Sequence, residues 1–101
     1  MNRVILIGSL TRAVEVRKTR TDLLVSNFTL AVNREIKEGE ADFISCVAYG
    51  KQAELVSKYL DKGSKISVEG HIQTGSYEKD GRKVYTTDVV VEKIQFLDSK
   101  K

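Results

Sequence analysis

Residues 43–63 read FISCVAYGKQAELVSKYLDKG, and the change of period inside this stretch decides the fold. From Phe43 to Tyr49 the chain alternates. Ile44, Cys46 and Ala48 share one side, and Phe43, Ser45, Val47 and Tyr49 share the other, as on a β-strand. From Lys51 to Lys62 the period lengthens, and Ala53, Val56, Tyr59 and Leu60 fall on one helical face. Gly63 then supplies a C-terminal stop. Working outward, the other segments read as strands joined by turns and loops. Val4 to Ile7 is an apolar run that reads as a strand buried on both faces, kinked at Gly8 and continued by a half-buried alternation over residues 14–19. Leu24, Ser26, Phe28, Leu30 and Val32 point inward on the next strand, and residues 34–42 form a charged loop around Gly39. Beyond the helix, Ile66, Val68, Gly70 and Ile72 point inward on residues 65–77. Asp80-Gly81 is a hairpin signal, and residues 82–97 form a last strand whose Val89-Val90-Val91 run implies a bulge or two-sided burial.

Counting the bent segment 3–19 once gives five strands with a single short helix between the third and the fourth. That order predicts an all-β, five-stranded Greek-key OB-fold barrel. The 101 residues form one domain, with no proline to mark an internal boundary. One cysteine and one histidine exclude a disulfide framework and any cysteine-based zinc cage. A Ser-His-Asp arrangement through His71 lacks a nucleophile-elbow motif, so composition points to binding and not to catalysis, with no metal and no cofactor. The start of the chain is too short and too soon interrupted for a signal peptide. No run approaches the length of a membrane span, and an intracellular, cytoplasmic protein is expected.

Seventeen basic against 14 acidic residues give a net charge of +3, a weak sign of a polyanionic partner. A stronger sign is the placing of rings. Phe43 and Tyr49 lie on the outward side of the third strand, and Tyr77 lies on the outward side of the fourth with Lys65, Ser67, Glu69, His71 and Gln73. Large exposed aromatics on a sheet face need a reason, and a platform for unpaired bases supplies one. Arg34, Lys37, Lys51, Lys62, Lys65 and Lys79 stand near them in sequence and could neutralise phosphates. Tyr59 and Tyr85 are read as structural, Phe28 and Phe96 as core, Cys46 as a small core residue, and His71 as a solvated strand residue. Glu35, Glu38, Glu40 and Asp42 are read as a solvated loop.

These segments, in order, resemble the bacterial and phage single-stranded DNA-binding proteins. The resemblance is carried by Met1-Asn2-Arg3-Val4-Ile5-Leu6-Ile7-Gly8, Phe28-Thr29-Leu30-Ala31-Val32-Asn33-Arg34 and Ala41-Asp42-Phe43-Ile44-Ser45-Cys46-Val47. It continues through Gln52-Ala53-Glu54-Leu55-Val56, Tyr59-Leu60-Asp61-Lys62-Gly63-Ser64, Val68-Glu69-Gly70-His71-Ile72-Gln73-Thr74 and Tyr85-Thr86-Thr87-Asp88-Val89-Val90-Val91. It implies an OB-fold that assembles into a homotetramer and binds and protects single-stranded DNA, without strong sequence preference, during replication, recombination and repair. It places the stacking aromatics at Phe43, Tyr49 and Tyr77 and basic contacts at Arg3, Arg17, Lys51 and Lys62. Arg34 and Gln73 complete the expected phosphate and polar set.

It also implies subunit pairing through residues 2–9, and association with the nucleoid in a bacterial cell. Ile36 stands where the family often has an aromatic, and the positions near Gln73 and Gly75 lack its arginines. The chain stops at Asp98-Ser99-Lys100-Lys101 without the acid-tipped tail of cellular members, so recruitment of other proteins is not carried over. A primosomal or RNA-binding OB module is the alternative. A small hydrolase acting through His71 and a protein-interaction module are the readings from other classes.

Overall fold

The computed structural model describes residues 1–11 and 14–97. Arg12, Ala13 and residues 98–101 lie outside the described part, and with them the chain end on which the expectation about the tail rests. The elements are β1 (Val4–Leu10), β2 (Glu15–Lys18), β3 (Leu24–Asn33), β4 (Ala41–Tyr49), α1 (Gly50–Tyr59), β5 (Lys65–Lys79) and β6 (Arg82–Phe96). The strands are ordered β1-β5-β6-β4-β3-β2, and a further pairing of β1 with β3 closes them into a ring. Six strands are observed against the expected five. The difference lies in the bent first segment, since β1 and β2 both pair antiparallel with β3, at Leu10↔Leu30 and Glu15↔Asn27. Within the ring β4 and β6 meet through two parallel pairs, Cys46↔Val89 and Val47↔Val90.

The core fills the ring from the even-numbered side of β3 and β4. Phe28, Leu30, Cys46 and Ala48 meet Ile66 and Val68 from β5 and Val89 and Val91 from β6. Helix α1 adds Ala53 and Val56, and Leu60 follows just past its end. The buried Ser26 hydroxyl donates to the Ala53 carbonyl at 2.9 Å, which ties the helix to β3.

Two glycines make this closure possible. A Cβ on Gly8 would run into the Ala31 carbonyl, at the point where β1 leaves β5 for β3. A Cβ on Gly70 would stand on the Val90 carbonyl oxygen.

The β5–β6 register slips between Glu69 and Gly70, so that Lys93 pairs with Glu69 and Val91 with Gly70. Glu92 is the extra residue, and it is the bulge expected from the valine run. It also switches the inward parity from Val89 and Val91 to Ile94. Asp80 and Gly81 both take positive φ, 53° and 76°, between the paired Lys79 and Arg82, the two-residue I′ geometry of that dipeptide.

Several burial expectations are corrected. Val4 and Leu6 pack on the core while Ile5 and Ile7 are exposed, so β1 is buried on one face and not on two. All four residues of β2 are exposed, although Val25 and Ser26, which they pair with on β3, are buried. Ile72 is 43% exposed. Its parity is inward, but it stands where the hairpin leaves the ring. Cys46 behaves as expected of a core residue. Burial, reinforced by the Asp88 charge, pushes its thiol from 9.0 up to about 12. The native thiol is therefore expected to stay inert to a disulfide reagent at pH 8 and to react at once in denaturant. The same shift removes stability as pH rises from about 9 toward 12, because the unfolded chain releases the proton first. Rapid labelling of the native chain would contradict the burial.

Candidate nucleic-acid interface

Strand parity sends Phe43 to the outer face of β4, opposite Ala31, and the residue is 69% exposed. Tyr49 closes the same strand as the residue that precedes α1, its backbone still extended. It pairs with Val25 and is 42% exposed. Tyr77 lies on the far part of the β5–β6 hairpin, paired with Val84 and 52% exposed. Beyond Ile72 every residue of β5 is exposed, so this arm projects past the core. The parallel pair Cys46↔Val89 sets Phe43 on the side of β4 from which the arm leaves, since both strands run toward that pair from the arm's direction.

Each member of the polar set is exposed: Arg3 before β1, Arg17 on β2, Arg34 after β3, Lys51 on α1, Lys62 beyond it and Gln73 on β5. Two of them already hold acids. Arg3 donates to Glu69 at 2.8 Å. Arg34 donates to Asp42 at 2.9 Å and to Glu40 at 3.3 Å, and the Asp42 hydrogen bond, then its charge, raises the arginine pKa. These pairs are open to solvent and screened, so a phosphate can compete for either guanidinium. The acidic loop is thus partly engaged, with Glu40 and Asp42 on Arg34. Ile36, at the loop tip, is fully exposed. His71 Nδ1 meets Glu92 at 2.5 Å on the open outer face of β5.

Three rings depart from the roles read in the sequence. Tyr85, taken as structural, is 74% exposed, with the Lys83 ammonium 5.8 Å from its ring centroid. It pairs with Ser76 and therefore faces the opposite side of the arm from Tyr77. The length of the two strands was the available signal. Two 15-residue strands outrun a small ring, so residues near the turn are wet on both faces. Tyr59 and Phe96 were assigned to the apolar helix face and the core. Both are about half exposed, their rings packed on each other at 6.0 Å between centroids.

A closed ring of strands with aromatics and cations on its outside, and a core filled by its own side chains, is a surface-binding module and not an enclosing one. The sequence comparisons say which. The model of the single-strand binding protein family matches residues 1–97, and the chain belongs to that family. The ring of strands with its one helix is the family's OB-fold. The chain is 54% identical over 101 residues to a single-stranded DNA-binding protein of Clostridium perfringens, covering 98% of this chain and 67% of that one. It is 51% identical over 105 residues to single-stranded DNA-binding protein 3 of Listeria innocua, covering 99% and 66%. Against the Halalkalibacterium halodurans single-stranded DNA-binding protein it is 52% identical over 103 residues, with 97% and 61% covered. The chain thus spans about two thirds, or somewhat less, of the length of these relatives. Among the described residues no helix is long and apolar enough to cross a membrane.

Proposed function

We propose that this chain binds single-stranded DNA without strong sequence preference. Bases stack on Phe43, Tyr49 and Tyr77, and phosphates meet Arg3, Arg17, Arg34, Lys51 and Lys62, with Gln73 as a polar contact. The observation that carries the proposal is the exposure of all three rings on a family member's outer surface, where an unpaired base can reach a π-face. Each stack contributes about 1–3 kcal/mol and accepts any base, the general range for single-strand binders of this family. Part of that gain is offset by ordering a flexible strand, so one protomer alone binds moderately. Assembly of four protomers raises the effective concentration of the later contacts. The exposed Ile5 and Ile7 on β1 supply an apolar stripe for that assembly.

The role proposed is protection of single strands during replication, recombination and repair in the bacterial cytoplasm. It contains no catalytic step. His71 is read as the partner of Glu92, not as a general base.

The chain has four tyrosines and no tryptophan, so its intrinsic fluorescence reports on two of the three proposed seats. Adding oligo-dT is expected to quench it. Affinity is expected to fall with salt, with a log–log slope of up to about −3 to −4 per protomer for five neutralised phosphates. Light scattering is expected to give four copies. Unquenched tyrosines at saturating oligo-dT would contradict the proposal, and equal affinity for RNA of the same sequence would favour an RNA-binding module.

A further inference from the structure

At the end of α1 away from Tyr49, the half-exposed rings of Tyr59 and Phe96 meet at 6.0 Å with their planes 51° apart. They line an open cavity of about 430 Å³, with Lys58, Leu60, Ser64 and Lys65 around it and Asp61 also on its wall. Two tilted rings present one face for stacking and one edge beside it, the arrangement aromatic groups prefer.

The surface between this cavity and Tyr49 is basic. Lys51 and Lys58 are both exposed and seven residues apart, hence two helical turns and about 10 Å along one face of α1. The exposed Lys62 continues the line past the helix end. Glu54 lies on the same exposed side and Asp61 on the cavity wall, so Lys51, Lys58 and Lys62 face two acids.

We propose that the bound strand runs on from Tyr49 along the exposed face of α1 to a further base seat formed by Tyr59 and Phe96, its phosphates following Lys51, Lys58 and Lys62. This rests on the reading of the chain as a single-strand binder and lengthens its track. Tyr49 and Tyr59 are separated by about 15 Å of helix, room for one or two extended nucleotides between the two seats. The charge selects an anionic occupant, and the two rings select one with a planar face.

The test titrates the full chain with a short oligo-dT and with one about twice as long. It compares the parent with Tyr59→Ala, Tyr59→Phe, Lys58→Glu and Phe43→Ala. Tyr59→Ala and Lys58→Glu are expected to lower affinity for the longer oligonucleotide, Tyr59→Ala by about five-fold or more, and to leave the short one unchanged. Tyr59→Phe, which keeps the ring, is expected to bind as the parent does. Photocrosslinking with 5-iodouracil in the longer oligonucleotide is expected to label the peptide containing Tyr59. If Phe43→Ala weakens binding while Tyr59→Ala matches the parent at both lengths and the crosslinks fall elsewhere, the extended track is wrong and the parent reading stands. That result overturns the track even if a peptide proves to occupy the cavity. If neither the parent nor any variant binds oligo-dT, both fall.

Discussion

Replacing Phe43, Tyr49 and Tyr77 together by alanine is expected to lower affinity for oligo-dT by at least about a hundred-fold, with the fold intact. Three stacks of about 1–3 kcal/mol each give a gross loss of roughly 3–9 kcal/mol, and each 1.4 kcal/mol is a factor of ten in affinity. Assembly amplifies the loss, because every protomer on the strand loses its seats at once. The same exposure that makes the rings available makes them dispensable to folding. Phe43 is 69% exposed and Tyr77 52%, and exposed side chains contribute little to stability. Tyr49, the least exposed of the three, carries most of whatever destabilisation occurs. Far-UV circular dichroism and the urea midpoint should stay near the parent's while the titration shifts. A triple variant that binds as tightly as the parent would move the interface elsewhere on the surface.

The largest effect on stability is expected at Gly70, where alanine should cost about 3 kcal/mol or more. Overpacking a tight site usually costs about 1–3 kcal/mol because side chains rotate away. Here the obstacle is the Val90 carbonyl oxygen, which can move only with β6. Its neighbours Val89 and Val91 are 4% and 5% exposed, so moving β6 disturbs the core. Against a typical total of about 5–15 kcal/mol, this is a large fraction. Gly75→Ala is the internal control, since its Cβ would meet only the rotatable Thr86 hydroxyl at 3.1 Å, and a change within about 0.5 kcal/mol is expected. Equal urea midpoints for the two variants would refute the account of the close approach.

These effects show which layer of the molecule was legible in the sequence. The strand segments other than the bent first one, the helix and its place, the Asp80-Gly81 turn and the bulge in β6 all follow from local periodicity and turn chemistry, and all are present. The outward parity of Phe43, Tyr49 and Tyr77 was legible for the same reason. Burial was harder to read, because periodicity gives the direction of a side chain but not what lies over it. Ile5 and Ile7 look buried in an apolar run and are uncovered on the single chain. Ile72 has inward parity, yet it sits beyond the core. Tyr59 was placed by helical period on the apolar face of α1, Tyr85 was read as structural and Phe96 as core, yet all three are exposed. The engagement of Arg34 with Asp42 and Glu40 depends on where a loop brings its ends, which no period encodes.

The β5–β6 hairpin has a consequence for how such a domain can diversify. Seven cross-strand pairs, from Gln73↔Asp88 to Lys79↔Arg82, lie outside Ile72↔Val89, the last rung in which a side chain is buried. Reach is therefore uncoupled from interior packing. Removing matched residues from both limbs shortens the projection and retracts Tyr77 by measured steps, with no rearrangement of the interior. The limb is a ruler that insertions and deletions can reset, while the ring beneath it stays the same.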